Sequence, residues 1–201
     1  MRGARAPAAA AALALAASGA PALLAPAAAL GKSGGALIRP VSDATVLASV
    51  LRVESVLVFA YERTLTSAVL SSAAREALAS FLDQERAHVR RLSLDLGALG
   101  GTVPEPLATM TAFESELRHL RVKRRPAALR TEREYLRFLI ALETVIARHY
   151  RFAIELLTSV ERVGTAAEIM ANEAQHKTVL RELLNPGRIR RAVPSAFVAG
   201  V

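Results

Sequence analysis

The sequence predicts an all-α fold, a four-helix bundle of two antiparallel hairpins joined by a long crossover. Three observations carry this. The chain leans to Ala, Leu, Arg and Glu, all good helix formers, and lacks strand-like runs of alternating β-branched residues. Four stretches repeat apolar residues at alternating steps of four and three, the seam that packs helices at a shallow angle. Between the second and third of these lies a charged stretch with Pro104, Pro106 and Pro126, whereas the other two breaks are short. Hydrophobic residues make up 52% of the 201 and aromatic ones only 4%, so the core is sizeable and aliphatic.

The expected elements follow in order. A Gly-rich joint leads to a first helix starting near Ser42 or Asp43, both good N-caps, and running to about Leu70. Its seam is Leu47, Leu51, Glu54, Val58, Tyr61 and Leu65. Ser71 and Ser72 interrupt the chain, and a second helix follows from about Ala73 to Leu96, with Leu78, Phe81, Glu85, His88, Leu92 and Leu96 inward. Gly97, Gly100 and Gly101 end it. The crossover spans Gly100 to Arg130, with a short helix expected near Ala112 to Leu120. Thr131 with Glu134 forms a capping-box pattern and opens a third helix with Leu136, Leu139, Glu143, Ile146, Tyr150, Ala153 and Leu157 on its seam. Gly164 is expected to stop it. Thr165 with Glu168 then opens a fourth helix with Ala166, Ile169, Glu173, His176, Leu180 and Leu183 inward, ended by Asn185-Pro186-Gly187. The domain reading is therefore a leader at 1–29, a joint at 30–41, the bundle at 42–185 and an irregular basic tail at 186–201.

The leader reading rests on Arg2 and Arg5, an Ala/Leu stretch from Ala6 to Leu30, and small residues near Ala29. This composition predicts an exported, extracytoplasmic protein, with cleavage near Ala29. A retained membrane anchor is the alternative, weakened by Pro7, Pro21 and Pro26. Downstream, each long apolar segment is interrupted by charges, so no spanning helix is expected there. Net charge is +8, from 26 basic and 18 acidic residues. Part of the excess clusters between Arg118 and Arg133, a stretch read as a solvated connection or as a surface for an anionic envelope polymer. Nucleic acid is not an expected partner of an exported protein. Cysteine is absent, which excludes disulfides, thiolate zinc sites, iron–sulfur clusters and a lipoprotein anchor. Carboxylate and imidazole remain as the good metal ligands.

The seams carry a two-copy polar pattern. Glu54 and Tyr61 precede Glu85 and His88 in Glu-Arg-Ala-His; Glu143 and Tyr150 precede Glu173 and His176 in Glu-Ala-Gln-His. Glu to Tyr is 7 residues in both copies, and the lone Glu precedes its Glu-x-x-His by 31 and 30 residues. Residues three apart share a helix face, so each Glu-x-x-His can present an oxygen and a nitrogen to one ion. Two such pairs with two further carboxylates make a complete protein ligand set for two metal ions, the di-iron or di-manganese carboxylate pattern. Unpaired buried carboxylates are costly, and two divalent cations would neutralise four of them. A proton-linked polar network in the core is the alternative. This donor set suits iron or manganese rather than copper(I) or calcium. Tyr61 and Tyr150 are expected to donate hydrogen bonds to ligating carboxylates. His149 is expected at the periphery and His119 in solvent, with Glu62, Glu155 and Glu161 as solvated charges.

These residues resemble the ferritin-like superfamily, and within it the small exported bacterial ferritin-like domain proteins. Phe-Leu-Asp-Gln-Glu-Arg-Ala-His-Val, Leu-Gly-Ala-Leu-Gly-Gly and Ile169-Met-Ala-Asn-Glu-Ala-Gln-His carry the resemblance, which covers roughly Ser42 to Asn185. It implies Glu54, Glu85, His88, Glu143, Glu173 and His176 as ligands of two iron or manganese ions, with Glu85 and Glu173 bridging them. It also implies Fe(II) oxidation, or reduction of dioxygen or peroxide, of ferroxidase, peroxidase or manganese-catalase type. The alternative is a non-catalytic exported stress or envelope protein with structural metal or none. The short tail broken by Pro194 argues against a ferritin cage, the lack of cysteine against a rubrerythrin, and the internal ligands against a mini-ferritin; a homodimer is compatible.

Overall fold

The computed structural model describes residues 41–123 and 126–192. The predicted leader at 1–29, all but the last residue of the joint at 30–41, Arg124, Arg125 and the tail from 193 onward lie outside the described residues. Among the described residues six α-helices form: α1 (Asp43–Leu65), α2 (Ser72–Ala98), α3 (Met110–His119), α4 (Glu132–Leu156), α5 (Val160–Leu184) and α6 (Ile189–Ala192), with a 3-10 turn at Pro126–Ala128. No strand occurs among the described residues. The long helices α1, α2, α4 and α5 make the bundle. α1 pairs with α2, α4 pairs with α5, and the hairpins meet through α1 against α4 and α2 against α5.

The N-termini of α1 to α5 are each fixed by a hydroxyl. Ser42, Ser71, Thr109, Thr131 and Ser159 each accept from a backbone N–H three residues on, a contact that contributes about 1 kcal/mol apiece. At Thr131 the capping box is complete, since the Glu134 carboxylate reaches back to Thr131 N at 3.0 Å. α2 ends as Gly100 turns into the left-handed region at φ 68° and Gly101 N bonds Leu96 O.

Two boundaries differ from the sequence-based expectation, and both reflect distant side chains. α1 stops at Leu65 rather than near Leu70, because the Arg75 guanidinium donates to the carbonyls of Leu65 and Ser67 at 2.6 and 2.8 Å. The break between the last two long helices lies at 157–159, not at Gly164, which is interior to α5. Asp43 causes this. Its carboxylate accepts from Thr158 N, Thr158 Oγ1 and Ser159 N and pairs with Arg162. Ser42 is thus the cap of α1, while its neighbour Asp43 holds the break before α5, 115 and 116 residues away. The tail is also less irregular than expected, since α6 forms within it and packs on α5.

The crossover is docked rather than solvated. Phe113 of α3 is fully buried between Phe59 and Phe138, at centroid distances of 4.7 and 6.4 Å. Burying one such ring contributes about 1.5–3 kcal/mol. Glu116 beside it forms a two-pronged ion pair with Arg52 of α1. Part of the basic cluster is structural as well, because Arg130 donates to the carbonyls of Ala127 and Leu129 and Arg133 to that of Leu184. This cover explains why α1 is buried beyond its single predicted seam, at Val56, Leu57 and Phe59, with Val58 only half-buried. By length and composition alone α1 is apolar enough to cross a membrane, contrary to the sequence-based expectation. Its packing against α2, α3 and α4 accounts for that apolarity.

Candidate metal centre

The centre lies where the four long helices converge at mid-bundle. The seam periodicity that buries Leu51 and Leu57 on α1 also buries Glu54 and Tyr61; α4 does the same with Glu143 and Tyr150 between Leu139 and Ala153. α2 supplies Glu85 and His88, and α5 supplies Glu173 and His176. The four carboxylates have no solvent exposure. All six predicted ligand side chains come together, in two overlapping groups. Glu54, Glu85, His88 and Glu173 form one; Glu85, Glu143, Glu173 and His176 form the other. Within each group the offered ligand atoms lie within 4.8 Å of one another.

The geometry divides the carboxylates into two kinds. Glu85 directs Oε2 toward His88 Nδ1 at 3.4 Å and Oε1 toward His176 Nδ1 at 2.9 Å. Glu173 does likewise, with Oε1 at 3.1 Å from His88 Nδ1 and Oε2 at 3.6 Å from His176 Nδ1. Glu54 approaches only His88, at 3.7 Å, and Glu143 only His176, at 3.6 Å. Glu85 and Glu173 therefore span both groups, while Glu54 and Glu143 are terminal.

Tyr61 donates its hydroxyl to Glu143 Oε1, and Tyr150 donates to Glu54 Oε1. The bonds are reciprocal between α1 and α4, so the two helices run antiparallel about a pseudo-twofold axis. Each hairpin's tyrosine orients the terminal carboxylate of the other hairpin.

The remaining donor atoms test whether a cation fits. Oε2 of Glu54 and Glu143, both oxygens of Glu85 and of Glu173, and Nδ1 of both histidines are buried without a hydrogen-bond partner among the described residues. Buried polar atoms are almost always paired. A cluster of them, all acceptors or potential acceptors converging on one space, is what a pair of divalent cations requires.

Electrostatics agree. Burial pushes Glu54 and Glu143 well above the usual carboxylate range, reinforced by the nearby charge of Glu173. Burial would also raise Glu173, but contacts with Glu143, His176 and His88 hold it down at about 2. Burial opposes the charge on both imidazoles, yet their carboxylate neighbours outweigh it and lift His88 to about 12 and His176 to about 11. Both tyrosines are pushed up by burial and by the carboxylates they face. Protons thus neutralise this cluster where cations do not, so binding a cation displaces them.

Sequence reasoning missed Gln84, whose Oε1 lies 3.0 Å from His176 Nε2 and also accepts from Asn172 Nδ2 at 2.8 Å. The signal was present, because in both copies an amide immediately precedes the spanning Glu: Gln84-Glu85 and Asn172-Glu173. Phe81, expected only as core, stacks on the His176 ring at 4.3 Å. His149 is half-buried, with Nδ1 2.9 Å from Val145 O, and His119 is exposed; neither joins the centre. Glu62 pairs with Arg86 and Glu161 with Arg91 on the surface.

The ferritin-like domain family matches residues 42–186 of this chain. The chain belongs to that family. Among solved structures, this ferritin-like chain is similar to a conserved hypothetical protein from Mycobacterium tuberculosis, at 19% identity and a TM-score of 0.60, covering 77% of this chain and 96% of the other. At that identity the similarity speaks for the fold. No curated protein sequence matches this one.

Proposed function

We propose that this ferritin-like chain holds a pair of iron or manganese ions and uses them to oxidise Fe(II) or to reduce dioxygen or peroxide. The observation that best supports the reading is the division of Glu85 and Glu173, each with one oxygen toward His88 and the other toward His176. A core network serving only stability has no need of two carboxylates placed this way, and replacing it with apolar residues would commonly be neutral or favourable. Glu54 with His88 would hold one ion and Glu143 with His176 the other. When bound, such ions supply electrons and Lewis acidity for the reaction. Tyr150 and Tyr61 keep Glu54 and Glu143 in orientation and hold a proton at each phenolic oxygen, while the surrounding Leu, Val and Ile side chains exclude water. We take the site to work outside the cytoplasm, a reading supported by the leader-like composition of residues 1–29.

The test is anaerobic loading with Fe(II), followed by air or peroxide. A near-ultraviolet absorbance should develop at a stoichiometry of two ions per chain and disappear in Glu143→Ala. No absorbance change, together with native metal content far below two ions per chain, would refute the reading.

A further inference from the structure

We propose that Gln84 makes the two metal positions unequal, creating a tightly held ion at Glu143 and His176 and leaving an exchangeable one at Glu54 and His88. The inference rests on the reading above that two ions bind.

A histidine ligand presents a fixed lone pair only when its other ring nitrogen has a defined partner. His176 has one, since its Nε2–H donates to Gln84 Oε1 at 3.0 Å, leaving Nδ1 directed at the carboxylates. The Gln84 amide is itself held in this orientation. Its Nε2 donates to Ser80 Oγ at 3.3 Å, and its Oε1 also accepts from Asn172 Nδ2 at 2.8 Å. Turning the amide over would set its NH2 group against two donors. Phe81, stacked on the ring at an interplanar angle of 28°, blocks rotation.

The pseudo-twofold axis asks for the same arrangement around His88, and the sequence does not provide it. The counterpart of Gln84 on α5 is Asn172, one methylene shorter; it turns to Gln84 instead, and its own Oδ1 is buried without a partner. The counterpart of Phe81 is Ile169, which offers no ring to stack. Among the described residues none bonds His88 Nε2. His88 also keeps 12% of its side chain exposed, against 1% for His176 and 0% for the four carboxylates. An ion on this side meets a less constrained ligand and lies behind the ligand edge most open to solvent.

The experiment is an anaerobic titration of the full chain, first stripped with a chelator, using Co(II) as probe and reading d–d absorption and binding heat. The expected result is two steps about tenfold or more apart, with the tighter step weakened about 10–100-fold by Gln84→Leu and the weaker one unchanged. Gln84→Glu keeps an acceptor for His176 and should retain the tight step. His88→Ala should remove only the weaker step. Two equal steps in the unaltered chain, or a Gln84→Leu variant that weakens both steps alike or neither, would overturn the inference while leaving two-ion binding intact. Failure to bind any ion would overturn the proposed function as well.

Discussion

His176 sits under the ring of Phe81 with its outer nitrogen on Gln84; His88, the matching residue on α2, has neither neighbour and reaches the surface. The carboxylates around the two are otherwise alike, with the two spanning glutamates shared and one terminal, tyrosine-held glutamate on each side. The duplicated residues therefore build a symmetric ligand set, and the unduplicated residues beside them break the symmetry. Helix seams place the donors, but what stands behind each donor decides how firmly it is held.

The strongest way to break this comparison is to remove what the halves share. Glu85→Ala or Glu173→Ala should reduce bound metal from two ions to none, because each carboxylate serves both positions; Glu54→Ala or Glu143→Ala should leave one. Metal analysis after gel filtration distinguishes these outcomes, and equal losses in all four variants would contradict the division into spanning and terminal carboxylates.

A finer separation uses the crossed tyrosines. Tyr61→Phe frees Glu143 and should weaken the ion at His176 by about 10–100-fold, while Tyr150→Phe should do so for the ion at His88. Competition against a chelator, read separately for each step, checks whether each effect falls on the opposite hairpin's position.

Proton release compares the halves by charge. Both imidazoles, lifted to about 12 and 11, carry a proton at neutral pH, so each ion that binds Nδ1 must displace one. Affinity for both ions should rise with pH across the neutral range. Calorimetry in buffers of different ionisation enthalpy should show release of at least one proton per ion bound, the histidine proton together with any held by Glu54 or Glu143; heats independent of buffer would contradict this.

The smallest effect should leave both halves intact. Asp43→Ala removes the carboxylate that holds the α4–α5 break and should lower stability by about 1–2 kcal/mol in a denaturant titration, with both ions still bound. Burial would raise the Asp43 carboxyl, but the donors of Thr158, Ser159 and Arg162 outweigh it and hold it below its ordinary value. Its contribution is therefore full above the unfolded pKa near 3.8 and is lost as pH falls below that. The variant and the unaltered chain should converge in stability only in that acidic range.

Much of this was legible in the sequence because helix seams are a local signal. Glu54, Glu85, Glu143 and Glu173 were recognisable as interior from the apolar residues three and four positions away, and the repetition of Glu-x-x-His made a shared centre the simplest account. What escaped depended on partners distant in sequence. Gly164 looked like a stop and Thr165 like a cap, yet Asp43 moved the break to 157–159. Phe113 and Glu116 gave no sign within the charged crossover that they dock on Phe59 and Arg52. Gln84 drew no assignment from the sequence, since its role exists only once α5 brings His176 beside it.

The most direct test of the central claim is a crystal soaked in Mn(II) and measured for anomalous scattering. Two peaks per chain are expected, about 3.5–4 Å apart, one beside Glu54 and His88 and one beside Glu143 and His176, with Glu85 and Glu173 reaching both. A map with peaks only at surface carboxylates, or a single peak touching neither histidine, would contradict it.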